Sequence, residues 1–155
     1  MLVDSEFLSR QNACLKRLIQ NAGLDQPQAN VTDINYECGR KLDRELLANL
    51  SSCTYIQRGL NVFITGATGC GKTYIACALG MEACKHKFNT RYVRLPELLL
   101  EMKLARANGS INKVIQRYAK PNLLILDEWL LIKCPYESQY DLMEIIHHRS
   151  KGLST

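Results

Sequence analysis

Gly66-Ala67-Thr68-Gly69-Cys70-Gly71-Lys72-Thr73 satisfies the phosphate-loop pattern G-x-x-x-x-G-K-[ST] at every fixed position. The chemistry such a run supports is the holding of a nucleoside triphosphate. Glycines let the backbone turn so that successive N–H groups face phosphate oxygens, and the helix that follows adds the positive end of its dipole. Lys72 would reach the β and γ phosphates as a point charge, and Thr73 would offer its hydroxyl to Mg²⁺. With Tyr74, the next residue of the helix, the run from Gly66 to Thr73 makes up the candidate nucleotide-binding set: Gly66, Ala67, Thr68, Gly69, Cys70, Gly71, Lys72, Thr73 and Tyr74. The competing reading is a glycine-rich turn with a solvated lysine.

A second constellation completes the chemistry. Leu123-Leu124-Ile125-Leu126 is a continuous apolar run ending in Asp127-Glu128, the pattern of a buried parallel strand with acids at its carboxyl end. Ligands in open parallel sheets bind at that edge. Asp127 is therefore placed to hold the Mg²⁺ shell, and Glu128 to orient or deprotonate a water attacking the γ phosphate. An acidic pair after a strand is by itself more often a solvated loop or helix cap. The 55 residues between Lys72 and Asp127 leave room for one intervening strand with its helices, which turns the argument toward a shared site.

These residues need elements to position them. The apolar run Leu60 to Thr65 predicts a buried strand feeding the loop, and Tyr74 to Cys84 the helix leaving it. Before them, Phe7, Leu8, Cys14, Leu15, Leu18, Ile19 and Ala22 give one apolar stripe from about Ser5, closed by Gly23. A connector containing Pro27 follows, then a short helix over Asp43 to Leu50. Residues 1–58 thus form a helical segment ahead of an α/β core over 59–155. A second strand is expected at Arg91 to Leu95. The crossover to the Asp127 strand then carries two helices: Pro96 opens the first, which runs to Gly109, and Ser110 caps the second, with Ile111, Val114, Ile115 and Tyr118 on one face. From Glu97 to Lys120 the net charge is +3, so this hairpin could lie along a phosphate backbone as well as present plain solvated faces.

Composition sets the bounds. The chain has 155 residues, 46% of them hydrophobic and 23% charged, enough for one core. A net charge of +5 is compatible with an anionic partner without demonstrating one. Asp4 and Glu6 follow Met1 where a secretory signal would be positive, and no apolar run approaches a membrane span, so the cytoplasm is the default address. Cys14, Cys38, Cys53, Cys70, Cys77, Cys84 and Cys134 form no C-x-x-C pair and are odd in number, which reads as reduced thiols. Cys77 and Cys84 lie a heptad apart on one helix face and are expected in the core. Cys70 stands at a helix N-terminus, where a thiol pKa tends to fall, but a loop position filled only for its backbone is the preferred reading.

The stretches L-V-D-S-E-F-L-S-R, N-V-F-I-T-G-A-T-G-C-G-K-T-Y-I-A-C-A-L-G, R-Y-V-R-L-P-E-L-L and P-N-L-L-I-L-D-E together resemble the IstB family of insertion-sequence helper ATPases. They are also similar to the DnaC family of replicative helicase loaders. The resemblance implies a P-loop NTPase core of AAA+ type, a parallel sheet with helices on both faces. It further implies a homo-oligomer, fuelled by ATP and Mg²⁺, that assembles on DNA and acts on a transposase, or in the alternative on a replicative helicase in DNA replication. On that basis Gly66, Gly69, Gly71, Lys72 and Thr73 match the nucleotide loop, with Lys72 and Glu128 catalytic and Thr73 and Asp127 on the metal. Lys103, Arg106, Lys113 and Arg117 fall where the clade contacts DNA. Trp129 departs from the small residue the family carries there, which would reshape the following loop.

A last helix is expected over Gln139 to His148, with His147, His148 and Arg149 as cationic caps on its carboxyl end. The family's next strand, which lies between the loop strand and the Asp127 strand, would begin where Lys151 to Thr155 stands, and the resemblance places the remaining strands and the lid beyond Thr155. The expectation is an interrupted copy of a longer ATPase with impaired hydrolysis. Two alternatives belong to other classes: a nucleotide-binding remnant without turnover, and a small-molecule P-loop kinase, disfavoured because no arginine-rich lid is evident.

Overall fold

The computed structural model describes residues 2–36, 42–129 and 133–155. Its centre is a parallel pair, β1 (Thr90–Arg94) and β2 (Leu123–Asp127), in register from Thr90 opposite Leu123 to Arg94 opposite Asp127. Because side chains alternate along a strand, this register sorts the pair into two faces. Val93, Leu124 and Leu126 point one way, into a cluster with Leu98, Met102, Val114, Ile115, Tyr118, Leu142 and Ile145. Those residues come from α5 (Leu95–Ala107), α6 (Ile111–Ala119) and α7 (Tyr136–Arg149). Tyr92, Leu123 and Ile125 point the other way, toward α4 (Lys72–Lys85), which contributes Cys77, Ala78, Ala83 and Cys84. Helices thus cover both faces of a parallel sheet, the α/β layering that the patterns predict and the P-loop NTPase core that the resemblance implies.

The segments ahead of the loop pack on the outside of α4. The first helix, α1 (Leu2–Ala22), brings Leu15, Leu18, Ile19 and Ala22 against Cys77, Ala78 and Tyr92, together with Leu24 and Ala29 from the connector. A 3-10 turn at Val31–Asp33, α2 (Arg44–Ser51) and α3 (Thr54–Gln57) follow. Asp43 caps α2 with its carboxylate on the Glu45 and Leu46 amides at 2.9 and 3.1 Å, as a side-chain acceptor does for orphan first-turn donors. The amino half of the α1 stripe is unpacked: Phe7 and Leu8 remain 60% and 58% exposed.

Three expectations shift. The second strand begins and ends one residue early, because Leu95 already opens α5 with Pro96 in its first turn. Leu60 to Thr65 is not a buried strand: it carries no regular strand pairing, and Phe63 stands 86% exposed. Val62 and Ile64 are half-buried against the clusters around Ile56 and Ile75, while the alternate residues face out, and the last few residues of the chain run alongside. The Val62 amide donates to the Thr155 carbonyl at 3.1 Å, and the Thr155 amide to Asn61 Oδ1 at 3.0 Å. Ser154 in turn bridges in parallel to Leu123, so residues 153–155 run between β2 and the segment that feeds the loop. At that junction Gly59, at φ +62°, lies so close to Gly152 that a Cβ would meet its carbonyl carbon at 2.6 Å.

Arg149 gives the third shift. It does not cap its own helix from the solvent side but is 1% exposed, with its guanidinium turned inward. It donates to the Tyr118 and Ala119 carbonyls at 3.1 and 3.3 Å, so the helix end it caps is that of α6. It also reaches the Pro121 carbonyl at 2.8 Å, the Asn122 carbonyl at 3.5 Å, the Thr155 hydroxyl at 2.8 Å, and the Ser154 carbonyl. Burial lowers its pKa to about 10, which leaves the group a cation at neutral pH. His148 faces Glu144 at 3.8 Å on the outer side of α7.

Cys77 and Cys84 are fully buried, and Cys14, Cys53, Cys70 and Cys134 are also free thiols; Cys38 lies outside the described residues, as does the loop after Trp129. No helix among the described residues is long and apolar enough to cross a membrane.

Candidate nucleotide-binding site

The loop from Gly66 to Gly71 is bent as its glycines permit. Gly66, Gly69 and Gly71 take φ of +154°, +77° and +86°, a region where an L side chain is strained. Gly71 then serves as the cap position of α4, whose first turn carries Lys72 and Thr73. Lys72 folds back over the loop, its ammonium donating to the Gly66 and Ala67 carbonyls at 2.9 and 2.8 Å. Cys70 Sγ lies 4.0 Å from the same nitrogen and fills the space a Cβ at Gly66 would occupy. Tyr74 has a different duty: its hydroxyl accepts from the Asn30 amide at 3.2 Å, tying the connector to α4.

The two motifs meet through one carboxylate. Thr73 Oγ1 donates to Asp127 Oδ2 at 2.7 Å across 54 residues of sequence, so α4 and β2 deliver the two oxygens assigned to the metal to one place. Asp127 Oδ1 accepts the Glu128 amide at 2.8 Å, and Tyr92 donates its hydroxyl to Oδ2 at 2.9 Å. Burial alone would raise the Asp127 pKa, but Thr73, the Glu128 amide, Tyr92 and the positive charge of Lys72 outweigh it and hold the carboxyl below its usual range. An ionised carboxylate beside a hydroxyl is the oxygen donor set that Mg²⁺ prefers, so the residues present fit that ion.

Glu128 leaves the strand in the left-handed region at φ +55° and carries a partly exposed side chain. Its carboxylate faces Arg94 at 3.8 Å, and Arg94 is also held by Glu97 at 2.8 Å. Tyr92 and Arg94 were not singled out by sequence reasoning. No pattern within either strand marks Tyr92: it shares a face with Asp127 only through the register, in which it sits opposite Ile125, two residues before the acid.

The hairpin residues are arranged unequally. Arg106 donates to Asp141 of α7 at 2.6 Å, and Arg117 pairs with Glu101 across the α5–α6 hairpin. Lys103 and Lys113 are exposed and make no ion pair among the described residues.

A glycine-bent loop, its lysine, and a hydroxyl–carboxylate pair at the carboxyl edge of a parallel sheet define a P-loop nucleotide-binding protein. More narrowly, the chain belongs to the IstB-like ATP binding protein family, whose model matches residues 1–155. It is 38% identical over 155 residues to the protein named as the ATP-binding protein of insertion sequence IS1162 from Pseudomonas fluorescens, covering all of this chain and 67% of that one. Insertion-sequence ATP-binding proteins y4pL and y4uH of Sinorhizobium fredii are 34% and 36% identical over the whole chain, which covers 63% and 62% of their lengths. The chain thus spans about two thirds or less of the curated relatives it matches.

Proposed function

We propose that this chain binds ATP together with Mg²⁺ and hydrolyses it, and that its nucleotide state governs a hold on DNA that assists a transposase. The observation that carries the nucleotide half is the 2.7 Å contact between Thr73 and Asp127, which joins two motifs far apart in sequence into one oxygen site beside Lys72. The insertion-sequence setting rests on the relatives, each named for an insertion sequence and for ATP binding.

In this reading the loop amides and the α4 dipole hold the phosphates, and Lys72 leaves the Gly66 and Ala67 carbonyls to neutralise charge on the β and γ groups. Mg²⁺ would supply electrostatic stabilisation of the transferred group. Thr73 and Asp127 would hold it. Glu128, at the exposed end of β2, orients the attacking water and takes its proton, and Arg94 at 3.8 Å steadies that carboxylate.

Glu128→Gln tests the hydrolytic half. The variant should bind ATP with an affinity within twofold of the parent and lose turnover by 10²-fold or more, the scale of a positioned proton acceptor. A parent chain with no turnover of its own, in a steady-state phosphate-release assay, would leave a nucleotide-binding remnant instead of a motor.

For DNA, the ion pairs redirect the choice of residues. Arg106 and Arg117 are engaged with Asp141 and Glu101, whereas Lys103 and Lys113 are free to meet phosphates. Lys103→Ala with Lys113→Ala should reduce the slope of log affinity against log salt by about 2 on a duplex of arbitrary sequence. An unchanged affinity and slope would remove the hairpin from the interface.

A further inference from the structure

We propose that Tyr92 is a positioning residue for the metal-binding carboxylate, fixing the rotation of Asp127 so that Mg²⁺ finds its ligand preset; the inference rests on the nucleotide reading above. Asp127 has two oxygens and three donors. Oδ1 is held by the Glu128 amide at 2.8 Å, which a neighbouring backbone supplies whatever the side chain does. Oδ2 takes Thr73 at 2.7 Å and Tyr92 at 2.9 Å. Of these, Thr73 is itself assigned to the ion, offering it a lone pair while its proton stays on Asp127. Tyr92 is then, among the described residues, the one side-chain donor to Asp127 that is not itself assigned to the ion.

The placement of Tyr92 suits that duty. Its ring is 7% exposed and packs with Ala22, Leu24, Cys77 and Ala78 between α1 and α4, so the side chain is immobilised along its length. Its hydroxyl reaches the carboxylate two residues further along β2 than its own partner Ile125. Donors behind a ligand commonly set metal affinity by 10- to 100-fold, because they remove the orientational freedom the ligand would otherwise surrender on binding.

Tyr92→Phe deletes the hydroxyl and leaves the packed ring. A fluorescent ATP analogue is titrated onto the full chain in EDTA, and Mg²⁺ is then titrated at fixed analogue. The variant should bind the analogue in EDTA within twofold of the parent and require about tenfold or more Mg²⁺ for the half-maximal metal-dependent gain. In an Asp127→Ala background the same substitution should add no further loss, since both carboxylate oxygens are gone. A Mg²⁺ midpoint within twofold of the parent overturns the proposal, as does an equal loss of affinity with and without metal, which marks a packing defect. A parent chain whose binding ignores Mg²⁺ overturns the metal reading itself, and the role of Tyr92 with it; that failure shows in the parent before any variant is made.

Discussion

Lys72→Ala should abolish the thermal stabilisation that Mg²⁺-ATP gives the chain while leaving the nucleotide-free protein almost as stable as before. The second half follows from the side chain's present partners. Its ammonium rests at the exposed mouth of the loop on two carbonyls, Gly66 and Ala67, that water can serve equally well. Removing it there should move nucleotide-free stability by no more than about 0.5 kcal/mol, the ordinary range for surface changes. The first half follows from charge. A triphosphate held by amides and a helix dipole still needs a cation between its β and γ groups, and no other lysine or arginine among the described residues is hydrogen-bonded to the loop. At a hundredfold excess over the dissociation constant the parent should gain about 2.7 kcal/mol, or roughly 5 to 10 °C in Tm for a domain of this size. Differential scanning fluorimetry with and without Mg²⁺-ATP reads both quantities. A shift that survives in the variant would place the nucleotide elsewhere.

Arg149→Met should destabilise the chain by about 3 to 5 kcal/mol, a large part of what a domain this size has to lose. Methionine matches the length of the side chain but offers no donor. Six acceptors lose the guanidinium at once: carbonyls of Tyr118, Ala119, Pro121, Asn122 and Ser154, and the Thr155 hydroxyl; of these the Asn122 and Ser154 carbonyls keep the Ser154 and Leu124 amides. Each buried carbonyl left bare costs about 1 to 3 kcal/mol, offset in part because the cation no longer has to be desolvated. Arg149→Lys should recover only a fraction, since three donors on a compact ammonium cannot span a set that a planar fork of five was filling. Urea unfolding decides it. A loss below about 1 kcal/mol for the methionine variant would mean that water serves these carbonyls as readily as the guanidinium does.

What the sequence disclosed divides along physical lines. Gly66 to Thr73 and Asp127 were legible because the demands on them are local: a backbone that must turn, a hydroxyl one residue after a lysine, an acid closing an apolar run. The α5–α6 hairpin was legible for the same reason, through Pro96, Gly109 and the stripe of α6. Tyr92 was not, since its tie to Asp127 exists only through the register of β1 on β2, which no periodicity within either strand states. Arg149 was misread as a cap on its own helix because the sequence marks it as a cation in a last turn, whereas four of its acceptors lie 27 to 31 residues away. Leu60 to Thr65 shows the limit of reading burial from hydropathy. Its residues are apolar enough for a central strand, yet whether they are covered depends on what runs beside them.

The same guanidinium links two regions that the proposed function keeps apart. On one side it grips the carboxyl end of α6, the second arm of the basic hairpin; on the other it grips Ser154 and Thr155, whose backbone and side chains hold Leu60, Asn61 and Val62. Four residues further on, the chain enters the phosphate loop at Gly66. A tilt of α6 therefore has two outcomes: it drags the root of the loop with it, or it opens the cage at the cost of bare carbonyls. A clamp of this kind is a linkage rod: a load applied along the hairpin would arrive at the root of the phosphate loop as a displacement.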